Sequence, residues 1–285
     1  YNLQVFSQIV SSSAVFSEWR LYLSYQLITY MLLMPVFKHF QWKNIGRVMV
    51  SGILVFLLPS MFYSFYDIIY IDAFVGVAAG YSLYTFVQTD SGEKFEYIGA
   101  VLSISLLVLS KDVGFLLACF LGVLFASREL VEAFRSKKHL NFLLVSVMLL
   151  SILVPQLIWN MVIQSNNVAR SFSNSINFQT LLNTIRVRDP EDYRWKTLQN
   201  FFTGLVDSRV EVGNSNLMIS NIMLFLGIFS FLIYQTARGE GGNISTNTVK
   251  HIFFGSTGLI ALYVLGMCVM YMFKFSEYEA VRLAS

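Results

Sequence analysis

"FEYIGAVLSISLLVLSKDVGFLLACFLGVLF", residues 95–125, is two apolar runs closed around one Lys-Asp pair. Neither run alternates. A half-buried strand would carry a polar residue at every second position, so unbroken apolarity of this length reads as helix. The Ser-Lys-Asp-Val-Gly break then reads as the link between two helices. A bilayer core about 30 Å thick asks for roughly 20 apolar residues per helix, and the runs at 97–110 and 113–127 are shorter than that. They are expected to tilt, or to turn just inside the membrane surface.

Outward from this stretch the chain repeats the pattern, with further apolar runs at 21–37, 46–66, 71–88, 140–160, 217–236 and 251–273. Apolar residues make up 55% of the 285 and charged ones 13%, with a mean hydropathy of +0.59. A water-soluble domain could not build a polar shell from that balance. The expected fold is all-α: a polytopic transmembrane helix bundle of about eight spans with external amphipathic helices. Three parts follow: an N-terminal transmembrane module over 1–160, an external loop over 161–216, and a C-terminal transmembrane hairpin over 217–285. A strand barrel is excluded by the continuity of the runs. The opening "YNLQVFSQIV" has no Met, basic region or cleavage site, and the closing "EYEAVRLAS" has no helix cap. Both ends therefore read as cuts in a longer chain.

Basic residues decide the sides. The links "KHFQWKNIGR", "SGEKFE", "SRELVEAFRSKKH" and "ARGEGGNISTNTVK" carry Lys38, Lys43, Arg47, Lys94, Arg128, Arg135, Lys137, Lys138, Arg238 and Lys250, whereas the short links of the other side carry Lys111 alone. Positive charge concentrates in the cytoplasm, which puts those four links inside. Asp67, Asp72, Lys111, Asp112 and the whole 161–216 segment then fall outside. The sequon at Asn243 lies inside and is expected to stay unmodified. A net charge of +3 with no basic stripe gives no case for nucleic acid. Cys119 and Cys268 stand within apolar runs and read as small buried hydrophobes. The three histidines are far apart, and neither a P-loop nor a dinucleotide fingerprint occurs.

Acids and bases at the outer rim are the candidates for chemistry. In "YDIIYIDAFVGVAAG", residues 66–80, Asp72 opens the third run and Asp67 stands five residues earlier, off its helical face. Two readings are open to Asp72. It is a helix N-terminal anion favoured by the dipole by about 0.3–1 kcal/mol, or a carboxylate shielded by Tyr63, Tyr66 and Tyr70 that acts as a general base or holds a sugar hydroxyl. With Asp67 it could also hold a divalent cation as cofactor. Lys111 is a plain loop residue if its flanking runs span fully, or a fixed positive charge for a phosphate if they form a shallow hairpin. Within 161–216, Phe178, Leu181, Leu182 and Ile185 recur at helical spacing, as do Trp195, Leu198, Phe202 and Leu205, which predicts two amphipathic helices at the outer surface. Between them "RVRDPEDYRWK" sets Arg186, Arg188, Arg194 and Lys196 against Asp189, Glu191 and Asp192. That run is a solvated surface or a clamp for a phosphate-bearing lipid head group.

Over somewhat under half of the chain, the order of motifs resembles a known family. "FSEWRLYLS" leads into a helix, the basic link "KHFQWKNIGR" follows, then "LLPSMFYSFYDIIYIDAF" and "LSK". This is similar to the N-terminal half of the C-type membrane glycosyltransferases, the superfamily of the protein O-mannosyltransferases and the lipid A aminoarabinose transferase. Asp72 fits the family's helix-opening Asp, and Lys111 fits the lysine of its Leu-Thr-Lys turn. Arg20 stands earlier than the family's arginine, and the family's Pro pair has no counterpart. The resemblance implies transfer of a sugar from a polyprenyl-phosphate carrier to a cell-envelope glycan, lipid or protein acceptor outside a bacterial plasma membrane, with the principal catalytic acid in a loop before residue 1. A polysaccharide polymerase or ligase is the related alternative. A transporter or lipid flippase is disfavoured, because the span centres hold almost no charge and Pro35, Pro59 and Pro155 lie toward span ends.

Overall fold

The computed structural model describes residues 18–34, 45–53, 71–88, 94–136, 142–165, 177–207, 209–211, 218–220, 227 and 246–274. Its elements are α1 (Glu18–Leu33), α2 (Ile45–Gly52), α3 (Ile71–Gln88), α4 (Lys94–Ser110), α5 (Asp112–Ser136), α6 (Phe142–Ser165), α7 (Phe178–Val187), α8 (Tyr193–Asp207), β1 (Arg209–Glu211), β2 (Met218–Ser220) and α9 (Thr246–Lys274). Among the described residues the fold is thus all-α apart from one short antiparallel ladder, in which Val210 stands opposite Ile219. Among the described residues, three helices are long and apolar enough to cross a membrane, at Asp112–Val131, Leu143–Ser165 and His251–Phe273. A shorter apolar helix covers Tyr97–Ser110.

Two expectations need correction. The run at 113–127 is not short, because α5 has 25 residues and continues through "SRELVEAFRS", where Arg, Glu, Leu and Ala are all good helix formers and no Gly or Pro intervenes. Charge marked that stretch as a link, but propensity carries the helix through it. Second, Met218–Ser220, at the head of the run expected to span over 217–236, is a strand. Between it and β1 the sequence holds Gly213, Asn214, Ser215 and Asn216, residue types that favour a reversal of the chain. The remainder of that run, apart from residue 227, lies outside the described residues.

The chain divides into two compact units, Tyr1–Leu157 with Val212–Ser215, and Ile158–Glu211 with Asn216–Ser285. In the first, α3 is the central helix. Ala73, Phe74, Val75, Ala78, Ala79, Ser82, Leu83, Thr85 and Phe86 are buried on it, against Ala100, Ile104 and Leu107 of α4 and Leu117, Leu121 and Phe125 of α5. Small residues let the backbones approach, which is how helices associate where lipid offers no hydrophobic drive. An added Cβ at Gly99 would stand 3.2 Å from the Tyr81 hydroxyl. Hydroxyls join the helices too: Ser103 Oγ accepts from Ser82 Oγ at 2.9 Å, and Ser105 Oγ reaches the Ser151 carbonyl of α6 at 3.0 Å. Each such bond contributes about 0.6 kcal/mol. Ser82→Ala and Ser103→Ala should each cost that much, and the double variant little more, in a mutant cycle followed by unfolding in detergent micelles.

The second unit gathers α7 and α8 on the C-terminal end of α9. Cys268, Met272 and Phe273 are buried there, with Leu181, Leu198 and Phe201 packed against them. Phe201 also meets the Tyr271 ring, 6.0 Å between centroids. Cys119 and Cys268 are both unpaired thiols.

Candidate functional site

The joint between α4 and α5 is a single residue, Lys111. Ser110 Oγ turns back onto the Leu107 carbonyl at 2.6 Å, and the Lys111 carbonyl accepts the Phe115 N–H at 3.2 Å, which makes Lys111 the residue that opens α5. So tight a reversal leaves no room at Gly114, where an added Cβ would overlap the Leu107 carbonyl oxygen and come within 2.7 Å of Ser110 Oγ. Glycine is required there by approach, not by backbone angle.

This joint delivers Lys111 to the first turn of α3. Lys111 Nζ donates to Asp72 Oδ1 at 2.6 Å, with the two side chains 22% and 35% exposed. Half-open ion pairs contribute little to stability, about 0–1 kcal/mol. The same openness lets a ligand reach both groups. An incoming phosphate would compete with Asp72 for the ammonium, and an incoming hydroxyl would find a carboxylate acceptor beside it. Asp112, in the first turn of α5, is exposed. Asp67 and the tyrosines at 63, 66 and 70 lie outside the described residues. Among the described residues, no three His, Cys, Asp or Glu side chains are grouped as a metal ion would need.

At the other end of α3 stands Arg128, which sequence reading assigned only to a cytoplasmic link. Its Nη1 donates to the Phe86 carbonyl at 2.5 Å, in the last turn of α3, where helix carbonyls lack intrahelical partners. The guanidinium lies 4.6 Å from the Phe86 ring centroid and 5.6 Å from that of Phe125, and Glu129 Oε1 is 3.7 Å away. With only 9% of the side chain exposed, a cation needs such company. The available signal was the Phe125-to-Arg128 spacing, which places ring and charge on one helical face.

Compared with protein-family models, with curated proteins and with solved structures, the chain matches none.

Arg186, Arg188 and Arg194 belong to the second unit, and the structure distinguishes them. Arg186 is exposed, near the end of α7. Arg188 ends that helix in the left-handed conformation, φ 54° and ψ 42°, and its N–H closes on the Thr184 carbonyl. Its guanidinium lies 5.8 Å from the Trp195 ring centroid. Arg194 is engaged by protein: its Nη1 lies 3.8 Å from Asp192 Oδ1, and its guanidinium stands over Tyr193 and Phe273 at 4.9 and 5.8 Å. The acids of the corner are local fasteners. Asp189 Oδ1 accepts from Glu191 N and Asp192 Oδ1 from Arg194 N, each at 2.9 Å, while Glu191 meets Lys196 at 3.6 Å. At the start of α7, Asn177 caps through its side chain, accepting from Gln179 N and Thr180 N.

Glycine is the usual residue at a left-handed helix end, and other L-residues there cost about 1–2 kcal/mol. Arg188→Gly should therefore raise stability by about 1 kcal/mol, read as a higher unfolding midpoint in detergent. An unchanged or lower midpoint would mean that the Arg188–Trp195 contact outweighs the backbone strain.

Proposed function

We propose that the chain is part of a multi-pass membrane glycosyltransferase of the C-type, with about eight spans, acting in a bacterial plasma membrane. It moves a sugar from a polyprenyl-phosphate carrier to an acceptor on the external face. The observation that carries this reading is the contact between Lys111 and Asp72, half-open and set at the ends of apolar helices. No nucleotide sugar is available outside the membrane, so the donor is lipid-borne and its phosphate lies at the rim of the hydrocarbon, where these two side chains belong.

In the proposed reaction the acceptor hydroxyl oxygen attacks the anomeric carbon as a carboxylate takes its proton. The bond from that carbon to the carrier phosphate breaks, and its electron pair goes to the phosphate oxygen. Lys111 holds the phosphate and stabilises the charge that develops on it, which is where a preorganised cation has most effect. Asp72, with Asp67, orients the acceptor hydroxyl and assists the base. In the second unit, taken by itself, Arg186 and Arg188 are suited to a phosphate-bearing lipid head group, and Arg194 only after loosening its hold on Asp192. Full-length protein in nanodiscs, mixed with radiolabelled polyprenyl-phosphate sugar and a cell-envelope extract that supplies acceptor hydroxyls, is expected to transfer the label and release the free carrier phosphate. Failure with every lipid-linked donor would reject the reading and favour transport.

A further inference from the structure

The apolar positions of α7 and α8 are not all used by the protein. On α7, Leu181 packs on α9 and Thr184 is buried, whereas Phe178, Leu182 and Ile185 are 68%, 50% and 44% exposed. The same split occurs on α8. Leu198 and Phe201 pack on α9, and Phe202 and Val206 are 45% and 50% exposed. At 100° per residue these open positions make a row of their own on each helix, between the protein-facing row and the polar one.

We infer that these two rows are inserted into the bilayer, so that α7 and α8 lie at its headgroup boundary and anchor the segment there whatever reaction the protein performs. The depth follows from α9. Its apolar span, His251–Phe273, is about 34 Å long as a helix and therefore crosses a hydrocarbon core of about 30 Å with its last turns at the boundary. Leu181, Leu198 and Phe201 touch those last turns, at Cys268, Met272 and Phe273. Helices fixed at that level, with open apolar rows, meet acyl chains. The rest of the corner agrees. Trp195 shares the open side of α8, as an aromatic belt residue does. Arg186 and the exposed Arg188 stand at the end of α7, where long basic side chains meet lipid phosphates.

Photo-crosslinking tests this without disturbing the reaction. A benzophenone amino acid is placed at 178, 182, 202 or 206, and as controls at Asn183 and Thr203, which are exposed on the polar sides. The full-length protein is reconstituted in nanodiscs of tritiated phosphatidylcholine and phosphatidylglycerol and irradiated. Tritium should enter at the four row positions several-fold above both controls. Equal labelling of rows and controls would overturn the inference, as would adducts to a second copy or another protein in place of lipid. A second measurement guards against misfolding: each variant must retain the wild-type unfolding midpoint before its labelling is read.

Discussion

Lys111→Ala is expected to lower release of the polyprenyl carrier by about 10²–10³-fold, the usual loss when one preorganised charge donor is removed from a transition state. The reason is positional. A lysine on a flexible loop could be replaced by a neighbour or by solvent, but Lys111 is the whole of the joint between α4 and α5, and it reaches Asp72 at 2.6 Å. Asp72→Asn keeps the shape and removes the charge. It should depress kcat while leaving the KM for the donor lipid near its original value, because its proposed work is on the acceptor hydroxyl. Lys111→Ala should raise the donor KM as well, since its proposed work is on the phosphate both before and during transfer. The two changes together should cost less than the product of their separate losses, as expected of groups that act as a unit. Turnover unaffected by either change would remove the site from the proposal.

Gly114→Ala should destabilise the protein by about 1–3 kcal/mol, the range for forcing atoms into a filled space. Its added methyl meets the Leu107 carbonyl oxygen, and a main-chain atom inside a helix cannot step aside as a side chain can. Gly76 and Gly80 provide the contrast. Both are helical, both are exposed, and a Cβ at either meets nothing within 4 Å. There the same substitution should stabilise, by up to about 1 kcal/mol, through helix propensity. Unfolding midpoints of purified protein in micelles read all three, and an unperturbed Gly114→Ala would show that the hairpin turn is looser than described. Because the joint carries Lys111, Gly114→Ala should also weaken carrier release without touching a substrate-facing group.

The sequence made the helical hairpin at 95–125 legible because its runs are continuous and its break is charged. It also marked Asp72 and Lys111 separately, one as a helix opener and one as a turn residue. Their meeting was not legible, since 39 positions separate them and only the antiparallel return of α4 closes that distance. The amphipathic spacing at 178–185 and 195–205 predicted helices where α7 and α8 form, but periodicity assigns one apolar side per helix. It cannot divide that side between a protein neighbour and something else. Charge marks Arg128 as a link residue, whereas the helix runs on through it and its position three residues after Phe125 suits it to a buried place. Arg188 could not be foreseen at a left-handed helix end, where glycine is the ordinary choice. The β1–β2 ladder was hidden by the apolar character of the residues after it.

α5 meets α3 twice, through Lys111 at Asp72 and through Arg128 at Phe86, two places about 21 Å apart along α3. A lengthwise slip of one helix past the other by a turn, about 5.4 Å, would have to break both fastenings at once. The parallel helices therefore keep one register along their common axis unless both contacts break. Asp72 and Lys111 are thereby held at one height along the pair.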